Sequence, residues 1–189
     1  MSDHCWNCSH PLKSDFFCSS CKKIQPLRVM NPYERLGLNP DPVLSEEVLR
    51  KVYIDLHFQF HPDRFLMKSD REKKYALEHA EAINAAFSLL KTPLKRFELL
   101  LPSGADPVDP LEEATLLEEV IRWNQEIASG NQEERQALEK ILFEQQEALQ
   151  AEFIKYFKEG QINKLPLLLR NLQYLEKTLS TLRENLALL

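Results

Sequence analysis

The sequence lacks any apolar run approaching the roughly 20 residues that a membrane-crossing helix needs, which excludes a spanning segment of that kind. Its start, MSDHCWNCSH, has neither the basic-then-apolar pattern of a secretory signal nor the Arg-rich amphipathic pattern of a transit peptide, and this predicts a cytoplasmic protein. Cysteine is absent after residue 21. The C-terminal part has little positive charge: residues 102–189 carry nine Lys/Arg against sixteen Asp/Glu, where nucleic acid would demand clustered Lys/Arg. Residues 1–30 are net +2 and residues 31–101 are neutral, which leaves the chain at −5. With 43% apolar and 28% charged residues over 189 positions, a core can form without disulfides. The compositional shifts predict three segments, 1–30, 31–101 and 102–189.

The four cysteines that are present stand as Cys5-x2-Cys8 and Cys18-x2-Cys21. Two paired-thiol turns nine residues apart suit tetrahedral Zn²⁺, and four thiolates leave no open coordination position, so the site is expected to be structural. A redox dithiol and an iron–sulfur centre are the alternatives, although the segment is too short and polar for a thioredoxin-like fold. It is also too small to bury a core, so a metal would supply most of its folding energy. His4 and His10 read as solvated neighbours, with His10 in reserve as a ligand.

Asn31-Pro32 and YERLGL predict a short helix ended near Gly37. Ser45 caps a second helix whose Leu49, Val52, Tyr53, Leu56 and Phe60 recur at three- and four-residue spacing. Pro62 ends it, leaving His61 extended and Asp63 on a stiff turn. A long helix follows over about 70–91, with Ala76, Ala80, Ile83, Phe87 and Leu90 inward and Pro93 closing it. His57, His61 and Asp63 admit a catalytic or metal-binding reading, but no third ligand or base stands nearby. His61 and Asp63 could equally do no more than cap a helix end.

Three further helices are predicted. One is capped by Asp109 and ends at Gly130; the next is capped by Asn131 with Glu134 and runs toward Gly160; the last has leucines at 165, 168, 172, 175, 179, 182 and 186. Joined by short turns, they should form an antiparallel bundle, so the whole chain is expected to be all-α. The first bundle helix carries two apolar stripes, Ala114, Leu117 and Ile121 on one and Leu116, Val120, Trp123 and Ile127 on the other. One can pack inward, and the other is expected to face a partner.

Two antiparallel helices joined by a His-Pro-Asp loop after a short leading helix resemble the J-domain of DnaJ-type co-chaperones. The strings YERLGL, YIDLHFQFHPDRF and AINAAFSLLKTPLKRFELLL are most similar to the HscB family, the co-chaperones of iron–sulfur cluster biogenesis, some of which carry an N-terminal tetracysteine segment. The resemblance implies that His61, Pro62 and Asp63 dock on a DnaK/HscA-type chaperone and accelerate its ATP hydrolysis, with Arg50 and Lys51 steering the encounter. Ile54 and Asp55 stand where general J-proteins have a second basic pair, which fits a dedicated chaperone. It further implies that the bundle holds an IscU-like scaffold through Leu116, Leu117, Val120 and Tyr174. Ile121, Trp123 and Asn124 replace the family's charged residues beside that patch, so the contact is expected to be more apolar. The expectation is a non-enzymatic adaptor without a nucleic-acid or membrane partner, monomeric or weakly dimeric; a J-protein with another client, or a metal- or thiol-dependent enzyme, is the alternative.

Overall fold

A computed structural model describes residues 4–12, 16–102 and 107–187. Among them the regular structure is helical, with two isolated antiparallel bridges in the cysteine segment and no strand. None of these helices is long and apolar enough to cross a membrane. The chain divides into two compact units, Met1–Thr92 and Pro93–Leu189.

In the first unit, α1 (Pro32–Leu36) begins at Asn31, whose side chain accepts from the Glu34 amide while Glu34 reaches back to the Asn31 amide. It stops at Gly37, whose φ of 66° is a left-handed conformation that glycine adopts without a Cβ clash. Helix α2 (Glu46–Gln59) is capped by Ser45, and α3 (Asp70–Lys91) by a reciprocal Ser69–Glu72 pair. Between them Pro62–Phe65 forms one 3₁₀ turn. Leu49 and Phe60 from α2 and its end, with Ala76, Ala80, Ile83, Ala86 and Leu90 from α3, are buried. Tyr53 stacks on Phe87 with ring centroids 4.2 Å apart and donates its hydroxyl to Asn84, locking the hairpin's outer side.

The second unit opens with a helix that sequence patterning did not foretell. Pro93 closes α3 and also starts α4 (Pro93–Leu100), since its fixed φ and missing N–H suit a first helical position. Phe97 of α4 is buried and stacks on Phe153 at 4.2 Å. The bundle proper is α5 (Pro110–Ser129), α6 (Gln132–Lys158) and α7 (Leu165–Ala187), entered through Asp109, Asn131 and a short 3₁₀ turn at Ile162–Lys164. Helix α7 packs against both α5 and α6. Its leucines 165, 168, 172, 175, 179 and 182 are all buried, so the heptad seam is filled within the chain. Each such side chain taken from water contributes about 1.5–3 kcal/mol before the cost of ordering it.

Candidate functional site

The four cysteine sulfurs lie within 4.8 Å of one another. Cys5 Sγ is 3.6 Å from Cys21 Sγ, and Cys8 Sγ is 3.7 Å from Cys18 Sγ. The two turns that carry them share one geometry. Cys5 N–H donates to His10 O and Ser9 N–H to Cys5 O; Cys18 N–H donates to Lys23 O and Lys22 N–H to Cys18 O. Each turn is completed by a residue in the left-handed region, Ser9 (φ 57°) and Lys22 (φ 58°). For Cys5, desolvation by burial is outweighed by the amides of Asn7 and Cys8 and by neighbouring thiols, which bring it down to about 6. Cys8, despite the His10 amide, is pushed up to about 11 by desolvation and the other three thiols. Cys21 is lowered, chiefly by the Lys23 amide. Four crowded thiols cannot all ionise alone; a cation at their centre removes that conflict. The group can therefore hold a metal ion, and no other cluster of three or more His, Cys, Asp or Glu that could do so occurs among the described residues.

This segment is seated on the helical hairpin. The Gln25 side chain donates to Cys5 Sγ at 3.3 Å, while the Gln25 carbonyl receives the His79 ring N–H from α3 at 3.0 Å. Lys23 pairs with buried Glu72 at 2.9 Å. Trp6 donates to Ile24 O at 2.7 Å, lies edge-on to Tyr75 and receives the Arg71 guanidinium on its face. Phe16 and Phe17 both contact Phe60, which also stacks on His79 at 4.8 Å.

Phe60, fully buried, is the residue before the His-Pro-Asp loop. From that anchor the chain turns outward. His61 is extended (φ −58°, ψ 130°), as a residue preceding proline must be, and its carbonyl accepts from Arg64 N–H at 3.0 Å. His61 Nδ1 lies 3.4 Å from the Asp63 amide and 3.5 Å from Asp63 Oδ2. With the side chains 43% and 76% exposed, water screens this contact, which contributes at most about 1 kcal/mol. The turn fixes where the Asp63 side chain points. The rings of His57 and His61 are 5.6 Å apart, and no third ligand among the described residues joins them in a metal-binding group. Phe65 is buried behind the loop, whereas Phe58, Leu66 and Met67 are exposed around it, and Arg64 lies over the Phe58 ring at 4.8 Å. Arg50 and Lys51 are exposed on α2.

In the bundle, Trp123 and Ile127 are buried, with Val120 packed against their cluster and Leu116 half-buried. Leu117 and Ile121 are 43% and 57% exposed. The stripe containing Leu117 therefore faces outward, and Leu116 and Val120 lie on its inner border. Tyr174 is half-buried and donates to Glu113 Oε1 at 3.0 Å, an oxygen that Arg170 also approaches at 3.2 Å. Desolvation, with the Glu113 contact, raises its pKa. The docking residues Phe16, Phe17, Lys23 and Gln25 were missed by sequence reasoning; an aromatic pair in an otherwise polar segment was the available signal.

The first unit is thus a helical hairpin turning through an exposed His-Pro-Asp with a cysteine segment seated on it, and the second holds a three-helix bundle. No family model matches the chain. Its fold is that of the crystal structure of human co-chaperone protein HscB, with a TM-score of 0.86 at 21% identity over 98% of this chain and all of that one. Chaperone HscB from Vibrio cholerae gives 0.68 at 24% identity over 82% of this chain and 96% of that one. In sequence, the chain is 27% identical over 187 residues to mouse "Iron-sulfur cluster co-chaperone protein HscB", covering 92% of this chain and 79% of the mouse protein. It is 35% identical over 103 residues to the Aeromonas salmonicida HscB homologue, spanning 60% of that protein's length. The chain is related in sequence and in fold to the HscB co-chaperones.

Proposed function

We propose that the protein is a co-chaperone of iron–sulfur cluster biogenesis, acting in the cytoplasm and catalysing no bond chemistry itself. His61, Pro62 and Asp63 dock on a DnaK/HscA-type chaperone and stimulate its ATPase. The observation that carries this reading is the contrast across one peptide bond: Phe60 is buried among three rings, and His61 and Asp63 emerge from it on a turn stiffened by proline. A fixed carboxylate of this kind can meet an arginine of the chaperone in a charge-assisted hydrogen bond without losing loop entropy on binding. Arg50 and Lys51 add attraction for an acidic surface, which raises the encounter rate more than the final affinity.

The bundle holds an IscU-like scaffold. Leu117 supplies exposed apolar surface, Leu116 and Val120 border it, and Tyr174 contributes an aromatic edge tied to the start of α5. Carrying both contacts in one chain raises the scaffold's effective concentration at the chaperone. The metal is Zn²⁺ in a structural role. Thiolates about 2.3 Å from a tetrahedral zinc stand about 3.8 Å apart, close to the 3.6 and 3.7 Å separations of the cysteine pairs. Cys5, Cys8, Cys18 and Cys21 would be its four ligands, and Gln25 orients Cys5 from outside that shell.

The test is affinity purification of the full chain from its native cytoplasm. Recovery of a DnaK/HscA-class ATPase with an IscU-like scaffold is expected; recovery of neither would overturn the reading, and metal analysis finding iron would overturn the zinc assignment.

A further inference from the structure

Where the second cysteine turn meets the loop that follows His-Pro-Asp, the first unit opens into a cleft of about 360 Å³. Apart from Cys21, one of the four thiols of the metal-binding group, and a single carboxylate, its charged lining is cationic. Lys22 and Lys23 come from the cysteine segment, Arg64 and Lys68 from the loop, and Phe17 and Phe65 add apolar wall. The one carboxylate among these lining residues, Glu72, is buried and already committed to Lys23 and to the Ser69 hydroxyl. Lys22, Arg64 and Lys68 have no carboxylate partner among the described residues. The Lys22 backbone is also held in place: its left-handed conformation and the hydrogen bond its N–H donates to Cys18 O are part of the metal-binding turn.

Like charges gathered at one cleft repel unless an anion joins them. Arg64, which lines the cleft, directly follows Asp63, so a protein docked on the His-Pro-Asp loop stands beside it. We infer that the cleft receives an acidic segment of the ATPase chaperone, carboxylates flanking an apolar side chain, and that the metal-binding segment is thereby part of the chaperone-facing surface. The inference rests on the co-chaperone reading above. Open shape and apolar walls favour carboxylates on a peptide over a small free anion, which would need a closed set of converging donors.

The test is equilibrium binding of the full, metal-loaded chain to the purified DnaK/HscA-class ATPase of the same organism, at about 50 and about 200 mM salt. Lys22→Glu and Lys68→Glu are each expected to weaken the complex about tenfold and to flatten its salt dependence, with one metal per chain retained. Lys140→Glu, in the other unit, serves as the control and is expected to bind as wild type. Should Lys22→Glu lose metal, Lys22→Gln takes its place with the same expected direction. Wild-type affinity in both reversals, while Asp63→Asn loses ATPase stimulation, would overturn the cleft inference and leave the co-chaperone reading standing. Inorganic phosphate bound at the cleft with the chaperone affinity of the reversals unchanged would overturn it equally. Full stimulation by Asp63→Asn would remove both.

Discussion

Phe17 and Phe60 stack face to face, with ring centroids 5.4 Å apart and planes 11° from parallel. Phe17 immediately precedes Cys18, and Phe60 immediately precedes His61. This contact, with the edge-on packing of Phe16 on the same Phe60 ring, joins the metal-binding segment to the root of the His-Pro-Asp loop.

Removing the metal should therefore loosen the loop. Without the ion the segment loses the interaction that orders its two turns, and Phe16 and Phe17 no longer hold Phe60. Chelation is expected to speed hydrogen exchange at the amides of residues 60–64 and to lower the thermal transition of the first unit. Phe17→Ala, which keeps the metal, should do the same more mildly, at a cost of about 1–3 kcal/mol. Unchanged exchange at residues 60–64 after chelation would contradict the coupling.

Acid should weaken the same seat in two stages. The pKa of His79 is lowered, first by burial, so its contribution is present above the ordinary histidine range and lost as pH falls below it. Glu72 is lowered against its burial by Lys23 and Ser69, so its contribution persists to lower pH and is lost as pH falls beneath the ordinary carboxylate range. Denaturant unfolding of the metal-loaded protein between about pH 7.5 and 5.5 should show falling stability, and His79→Gln should flatten that slope. An identical slope in the variant would contradict the assignment.

Much of the fold was legible because its signals are local. Asn31, Ser45, Ser69, Asp109 and Asn131 are the observed N-caps, and three of the five complete a capping box with an acid three residues on. The α7 leucines were readable as a seam because their period is helical, and the bundle supplies their partners. Helix α4 was not legible: Pro93 reads as a terminator of α3, and eight residues are too few for a clear period. The candidate site divides similarly. Cysteine spacing implies a cluster, and proline stiffens the loop, but Gln25–Cys5 and Gln25–His79 join residues 20 and 54 positions apart, a docking that no local pattern encodes.

The two stripes of α5 should separate in their effects. Leu117→Ser with Ile121→Ser removes exposed apolar surface, so bundle stability should change by less than about 1 kcal/mol. Scaffold affinity should fall about tenfold or more. Ile127→Ala, at a buried position of the other stripe, should instead cost about 2–5 kcal/mol of bundle stability. Titration calorimetry and denaturant unfolding read the two quantities separately.

Tyr174→Phe removes the hydroxyl that donates to Glu113 and should cost the bundle about 1 kcal/mol. Because burial and Glu113 raise the tyrosine pKa, its contribution is present below the ordinary tyrosine range and lost as pH rises through the raised value. Wild-type and variant bundles should accordingly converge in stability at strongly alkaline pH, and a constant difference would contradict this.

The most direct test of the co-chaperone reading is single-turnover ATP hydrolysis by the purified DnaK/HscA-class partner, with wild type and with Asp63→Asn. The carboxylate is exposed and belongs to no core, so the variant should keep its fold and its scaffold affinity. Stimulation by wild type and its loss in Asp63→Asn is the expected result. Equal stimulation by both proteins, or none by either, would contradict it.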